Sequence, residues 1–191
     1  MQNRRSLACL LPVALCLLST SPPATAELTD LSLEELMGIE VTSATRRSES
    51  LGESAAAIYA LTAEDIRRSG ATSLPEALRL VPGLHVARVD ETKWAISARG
   101  FNDRFANKML VLVDGRHVYT PYFSGTFWDD QTIALDDVER IEVIRGPGAT
   151  LWGSNAVNGI INVITHSARD SQGFMARAQV DDFGETTTGI R

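Results

Sequence analysis

The sequence predicts a small α+β domain built on a mixed β-sheet. Three observations carry that expectation. Short strand-like runs outnumber helical stretches and interleave with them in no repeating βαβ order. Only two segments carry helix punctuation, and both are short. An Asp-Gly pair, Asp114–Gly115, lies between two β-rich runs and marks a tight hairpin.

The elements follow in order, beginning with a leader. Arg4 and Arg5 precede an apolar run from Leu7 to Leu18, and "PATA" follows at Pro23 to Ala26. A basic start, a short apolar core and an A-x-A end read as a signal peptide over residues 1–26. The apolar run is too short to cross ~30 Å of hydrocarbon. Cys9 and Cys16 lie in this leader, so the processed chain carries no disulfide and no thiolate site. Two of the 18 basic residues leave with it while all 24 acidic ones stay, taking the formal charge from −6 to −8. That balance argues against a nucleic-acid partner, because such affinity rests on basic patches. The expected class is an exported acidic domain.

Residues 27–54 form a polar arm. Within it "IEVTSA", Ile39 to Ala44, alternates apolar and polar residues. Two readings fit: a strand that adds to the sheet edge of another protein, or a linker without structure. From Ala55, "AAIYAL" reads as a buried strand. "TAEDIRRSG" then carries Thr62 as N-cap, Glu64 and Asp65 in the first turn and Gly70 as stop. A second helix is expected with Ser73 as cap and Glu76 three residues on, with Leu74, Ala77, Leu78 and Val81 on one face. Pro82–Gly83 ends it. "LHVARV" and "WAISARG" alternate as strands, and "MLVLVDGRHVY" is the hairpin named above. An aromatic loop, "YTPYFSGTFWDD", leads to "IALDDVERIEVIRG", a helical turn running into a strand, and "GIINVIT" is the last core strand. In "FMARAQV" the residues Phe174, Ala176, Ala178 and Val180 share one face; "DFGE" turns, and "TTTGIR" returns. An apolar face with nothing left to cover it suits the first hairpin of a larger sheet or barrel.

The glycine-rich loop at Gly146–Pro147–Gly148 is no phosphate cradle. Leu151 stands where a dinucleotide fingerprint needs glycine, no lysine follows Lys108, and Pro147 removes a backbone N–H. His85, His117 and His166 are too dispersed to suggest a metal site. No Gly-x-Ser-x-Gly elbow occurs. The acidic pairs Asp129–Asp130 and Asp136–Asp137 are adjacent in sequence and cannot converge on one bond. These residues give no reason to expect an enzyme, a cofactor or a bound metal.

The segments "LPEALRLVPGLHV", "ISARGF", "MLVLVDGRHV" and "VERIEVIRGPGATLWGSNAVNGIINVIT", in this order and at these spacings, do discriminate. Together with the leader they closely resemble the plug domain of TonB-dependent outer-membrane receptors, over about Ala55 to Ser167. The resemblance implies a small α+β plug with short helices, lodged in a barrel of about 22 strands. It implies location in the outer membrane of a Gram-negative bacterium. The family's plugs gate energy-coupled uptake of a scarce ligand, such as a ferric siderophore, haem or cobalamin.

By the same resemblance, Ile39, Glu40, Val41, Thr42 and Ser43 occupy the place of the TonB box, the segment that pairs as a strand with the energy-transducing protein TonB. Arg99 and Arg145 match plug arginines that pair with barrel carboxylates. The residues themselves also leave a solvated strand end open, although each arginine ends an apolar run where an unpaired buried charge is costly. Tyr119, Tyr122, Phe123, Phe127 and Trp128 lie in a loop similar to those that face the ligand, and packing against the barrel wall is the alternative. Arg104, with Lys108 nearby, offers positive charge to an anionic ligand or metal chelate. A full barrel at about 10 residues per strand needs at least ~220 residues. Only Phe174 to Arg191 follow Gly173, enough for one hairpin. The expected division is signal peptide 1–26, arm with TonB box 27–54, plug 55–168, and the start of a truncated barrel 169–191. A free-standing periplasmic plug-like binding module is the second reading.

Overall fold

The computed structural model describes residues 40–41, 49–50, 57–169, 171–180 and 186–190. In chain order the strands are β1 (Glu40–Val41), β2 (Glu49–Ser50), β3 (Ile58–Thr62), β4 (Leu84–Arg88), β5 (Trp94–Ala98), β6 (Met109–Val113) and β7 (Arg116–His117). They continue as β8 (Tyr119–Thr120), β9 (Gly125–Thr126), β10 (Val138–Ile144), β11 (Gly159–Thr165), β12 (Ala176–Val180) and β13 (Thr186–Ile190). Three α-helical segments accompany them: α1 (Ala63–Ser69), α2 (Leu74–Ala77) and α3 (Ala149–Trp152).

The central sheet has five strands in the order β3-β10-β11-β6-β7. β10 is antiparallel to both β3 and β11, β6 runs parallel to β11, and β7 returns antiparallel to β6. The sheet is therefore mixed, as the irregular order of strand signals predicts. Its two faces follow from the two-residue side-chain period. Leu61, Ile141, Val143, Ile161, Val163 and Val111 point to one side, where Ile66 of α1, Leu74 and Leu78 close the main core together with Trp94, Ile96 and Trp128. Ile144, Ile160, Leu110 and Leu112 point to the other side and form a second cluster with Ala156, Ile58 and Trp152. Each large aliphatic side chain so buried contributes about 1.5–3 kcal/mol of transfer free energy.

Local chemistry explains the element ends. Thr62 Oγ1 accepts the Asp65 N–H at 3.2 Å, and the Asp65 carboxylate accepts the Thr62 N–H at 3.0 Å. This reciprocal cap starts α1, and Gly70, with φ of 69°, stops it. The second helix is shorter than expected, since α2 gives way to a 3₁₀ turn at Leu78–Leu80. Ser73 stands at the N-cap as expected, but its side chain makes no capping bond. Glu76 instead reaches back one residue further, accepting the Thr72 N–H at 2.9 Å and the Thr72 hydroxyl at 2.7 Å. Asp114 and Gly115 both have positive φ, 49° and 75°, as a type I′ hairpin requires. The Asp114 carboxylate has a second duty the sequence did not disclose. It accepts both the N–H (2.8 Å) and the hydroxyl (2.9 Å) of Thr165, pinning the end of β11.

The loop after β10 contains α3, a single helical turn that the glycine-rich sequence did not announce. A Cβ on Gly148 would stand 2.6 Å from Ile160 Cδ1, and one on Gly159 would stand 2.4 Å from the Ile144 carbonyl oxygen. These two glycines serve close packing. Beyond β11, β12 and β13 pair antiparallel with Ala176 opposite Ile190 and Val180 opposite Thr186. Phe174, Val180 and Ile190 are exposed, as the alternation of "FMARAQV" predicts.

Candidate functional site

Two arginines predicted from separate motifs meet at one end of the sheet. Arg99 follows β5 and Arg145 follows β10. Arg99 Nη2 donates to the Arg145 carbonyl at 2.9 Å, and Arg145 Nη1 donates to the Pro82 carbonyl at 2.9 Å. Gly83, with φ of 82°, makes the room: a Cβ there would lie 3.0 Å from Arg145 Nη1. The Arg145 N–H donates to the Ala57 carbonyl at 3.0 Å and extends the β3–β10 ladder by one bond. Arg99 itself sits at φ of 56°, an uncommon conformation for a residue with a Cβ. The Arg145 Nε is buried without a partner. Among the described residues neither arginine forms an ion pair with a carboxylate.

A second cluster joins the loop after β5 to the loop around β8 and β9. Phe105 stacks on Phe123 with centroids 5.1 Å apart and an interplanar angle of 8°, and Phe123 stacks on Phe127 at 5.1 Å. Tyr122 meets Phe123 edge-on at 5.1 Å and is almost wholly exposed. The Arg104 guanidinium lies over the Phe105 and Phe127 rings, at 4.9 and 5.6 Å from their centroids. Gly125 lets the two loops touch, since a Cβ there would stand 2.7 Å from the Phe105 backbone. Phe105 was not singled out from the sequence. The available signal was its position beside Arg104 in an aromatic-flanked run.

Three members of the predicted ligand-facing set fall differently. Trp128 is 5 % exposed and belongs to the main core, so its ring anchors the loop and is withdrawn from the surface. Tyr119 is half-buried and opposes Thr126 across β8–β9. Arg104 Nη2 lies 3.4 Å from the Asp129 carboxylate, which already answers part of its charge. Of the five predicted box residues, Ile39, Thr42 and Ser43 lie outside the described residues. Glu40 and Val41 form β1, which pairs antiparallel with β2, and Val41 is buried.

Two carboxyl groups are held in the ionised form. Burial pushes the Glu76 carboxyl up, but the Thr72 hydrogen bonds and the Arg88 and Arg79 charges outweigh it and leave its pKa below the ordinary 4.5. The Lys93 ammonium, bonded to exposed Asp90, holds that carboxyl low. Among the described residues no group of three or more His, Cys, Asp or Glu side chains is arranged to hold a metal ion.

The domain is thus a mixed five-stranded sheet with short helices, with Arg99 and Arg145 near one end of it and exposed apolar residues on β12 and β13. The family model of the TonB-dependent receptor plug domain matches residues 50–160, and the chain belongs to that family. The vitamin B12 transporter BtuB of Vibrio vulnificus (strain CMCP6) is 36 % identical over 135 residues, covering 70 % of this chain and 21 % of the relative. The iron-regulated outer membrane virulence protein of Vibrio cholerae serotype O1 is 35 % identical over 130 residues, covering 65 % and 19 %. Among solved structures, the ferric-catecholate import receptor Fiu of E. coli K12 superposes with a TM-score of 0.50 at 26 % identity, covering 69 % of this chain and 18 % of that one. P. aeruginosa FpvA, at 21 % identity and a TM-score of 0.55 over 73 % of this chain and 17 % of FpvA, shares the fold. The chain spans about a fifth of the length of the curated relatives it matches.

Proposed function

We propose that this chain is the plug portion of an outer-membrane receptor that gates TonB-energised uptake of a scarce ligand, such as a ferric siderophore, haem or cobalamin. The observation that carries the reading is the Arg99–Arg145 pair. Arg99 bonds the backbone carbonyl of Arg145, Arg145 bonds that of Pro82, and the Arg145 Nε is buried and unpartnered. Two charges so placed near one end of the sheet, met only by carbonyls among the described residues, call for carboxylates from an enclosing structure. A barrel wall supplies such groups, and the exposed apolar face of β12 and β13 gives the direction in which that wall would grow.

On this reading residues 1–26 direct export, 27–54 carry the box, 55–168 form the plug and 169–191 begin the barrel. Ile39 to Ser43 pair with TonB by strand addition, in which backbone bonds supply affinity and alternating side chains supply register. Phe105, Tyr122, Phe123 and Phe127 offer ring surface to the ligand, with Arg104 completing the platform. The chain's own part in uptake is binding and displacement, with no chemistry on the ligand.

The test is uptake by cells producing the whole receptor that carries this chain as its plug, offered a ferric siderophore, haem or cyanocobalamin separately. Accumulation of one of them, lost in a host without TonB, is expected. Failure to accumulate any, or accumulation independent of TonB, contradicts the proposal.

A further inference from the structure

We propose that β3, β10 and β11 form a mechanical clamp against force entering through the N-terminal arm. The argument is one of strand direction and register. Ile58 opposes Ile144, which opposes Ile160; at the far end Thr62 opposes Arg140, which opposes Ile164, and Val138 opposes Thr165. β3 and β11 flank β10 and are both antiparallel to it, so they point the same way. Force from the N-terminal side enters at the start of β3, and force toward the C-terminal side leaves at the end of β11. These points lie at opposite ends of the sheet. Pulling them apart slides β3 and β11 in opposite directions across β10, and the backbone bonds of both ladders carry the load together.

Three contacts reinforce the two ends. At the entry end the Arg145 N–H bonds to the Ala57 carbonyl. At the exit end the His166 N–H donates to the Asp137 carbonyl at 2.9 Å, and Asp114 holds Thr165 by two bonds. β10 and β11 bury side chains on both faces, and Leu61 of β3 is buried in the main core, so sliding also exposes apolar surface.

The β1–β2 pair has the opposite geometry. Glu40 opposes Ser50 and Val41 opposes Glu49, so the incoming and outgoing chain lie at the same end. Force opens it one pair at a time, and there are only two pairs. The fold thus separates a release element, which unzips readily, from a sheet that resists. That the force is delivered by a partner on Ile39–Ser43 rests on the reading proposed above; the clamp itself does not.

The test is single-molecule pulling on the full chain with Cys9 and Cys16 replaced by serine. One version carries Ala57→Cys and Ser167→Cys as handles, at opposite ends of the sheet. The other carries Ala57→Cys and Pro147→Cys, both at the Ile58–Ile144 end. The clamp predicts a rupture force in the first geometry roughly threefold or more above the second, because forced opening follows the barrier along the direction pulled. Equal forces, a reversed order, or extension without a rupture in the first geometry overturns it. No TonB is present, so this result and the uptake result fail independently.

Discussion

At the scale of single residues, the domain is held by positions where one atom more or less decides the packing. Gly159 begins β11 against the carbonyl of Ile144, at the end of the ladder that joins the two central strands. A methyl group there would stand 2.4 Å from a backbone oxygen that cannot move without opening β10–β11. Gly159→Ala should therefore lose about 2–3 kcal/mol in urea denaturation, in the range of overpacked cores. Gly146→Ala, whose Cβ meets nothing within 4 Å, should change stability little. The sequence excludes a phosphate cradle at this loop but could not say which glycine carries close packing, because the neighbour lies on another strand. Arg99 and Arg145 stand out in the sequence for a similar reason in reverse: each ends an apolar run, where a buried charge needs a partner. Their mutual contact, through the Arg145 carbonyl, depends on a register that no local pattern reveals.

At the scale of elements, caps and turns were the most readable features. The Asp114–Gly115 turn and the Thr62 to Gly70 helix form where they were expected, since each rests on residues adjacent in sequence. The helix α2 starts after Ser73 as expected, but its capping bond differs for a physical reason. Ser73 has the right side chain and the right backbone angles, yet Glu76 bonds Thr72 and leaves the Ser73 hydroxyl without a partner. The Glu76 pKa is lower folded than unfolded, so its contribution is present above the unfolded value and is lost as pH falls through the folded one. Wild type should be more stable than Glu76→Gln at neutral pH, and the gap should close as pH falls below about 4.5, read by thermal unfolding across pH 3–7. A gap independent of pH would remove the carboxylate from this role. The aromatic stack was half legible. The loop "YTPYFSGTFWDD" announced ring density, but its partner Phe105 comes from a different loop, and Trp128 turned inward to the core.

At the scale of the whole molecule, the proposed function makes the mixed sheet, the two arginines near its end and the exposed hairpin residues parts of a domain completed by its surroundings. On the reading proposed above the β1–β2 pair is the point of entry: Val41 is buried and its strand is paired with β2 along one edge. The measurement that bears most directly on the central claim is the affinity of the periplasmic domain of TonB for the full chain and for Val41→Pro. The proline removes a backbone donor that strand addition needs, in a strand that is not part of the five-stranded sheet. The account predicts binding to the wild-type chain and a loss of at least about tenfold in Val41→Pro, about 1.4 kcal/mol, with the thermal unfolding of the plug unchanged. Equal affinity of the two chains for TonB would contradict it.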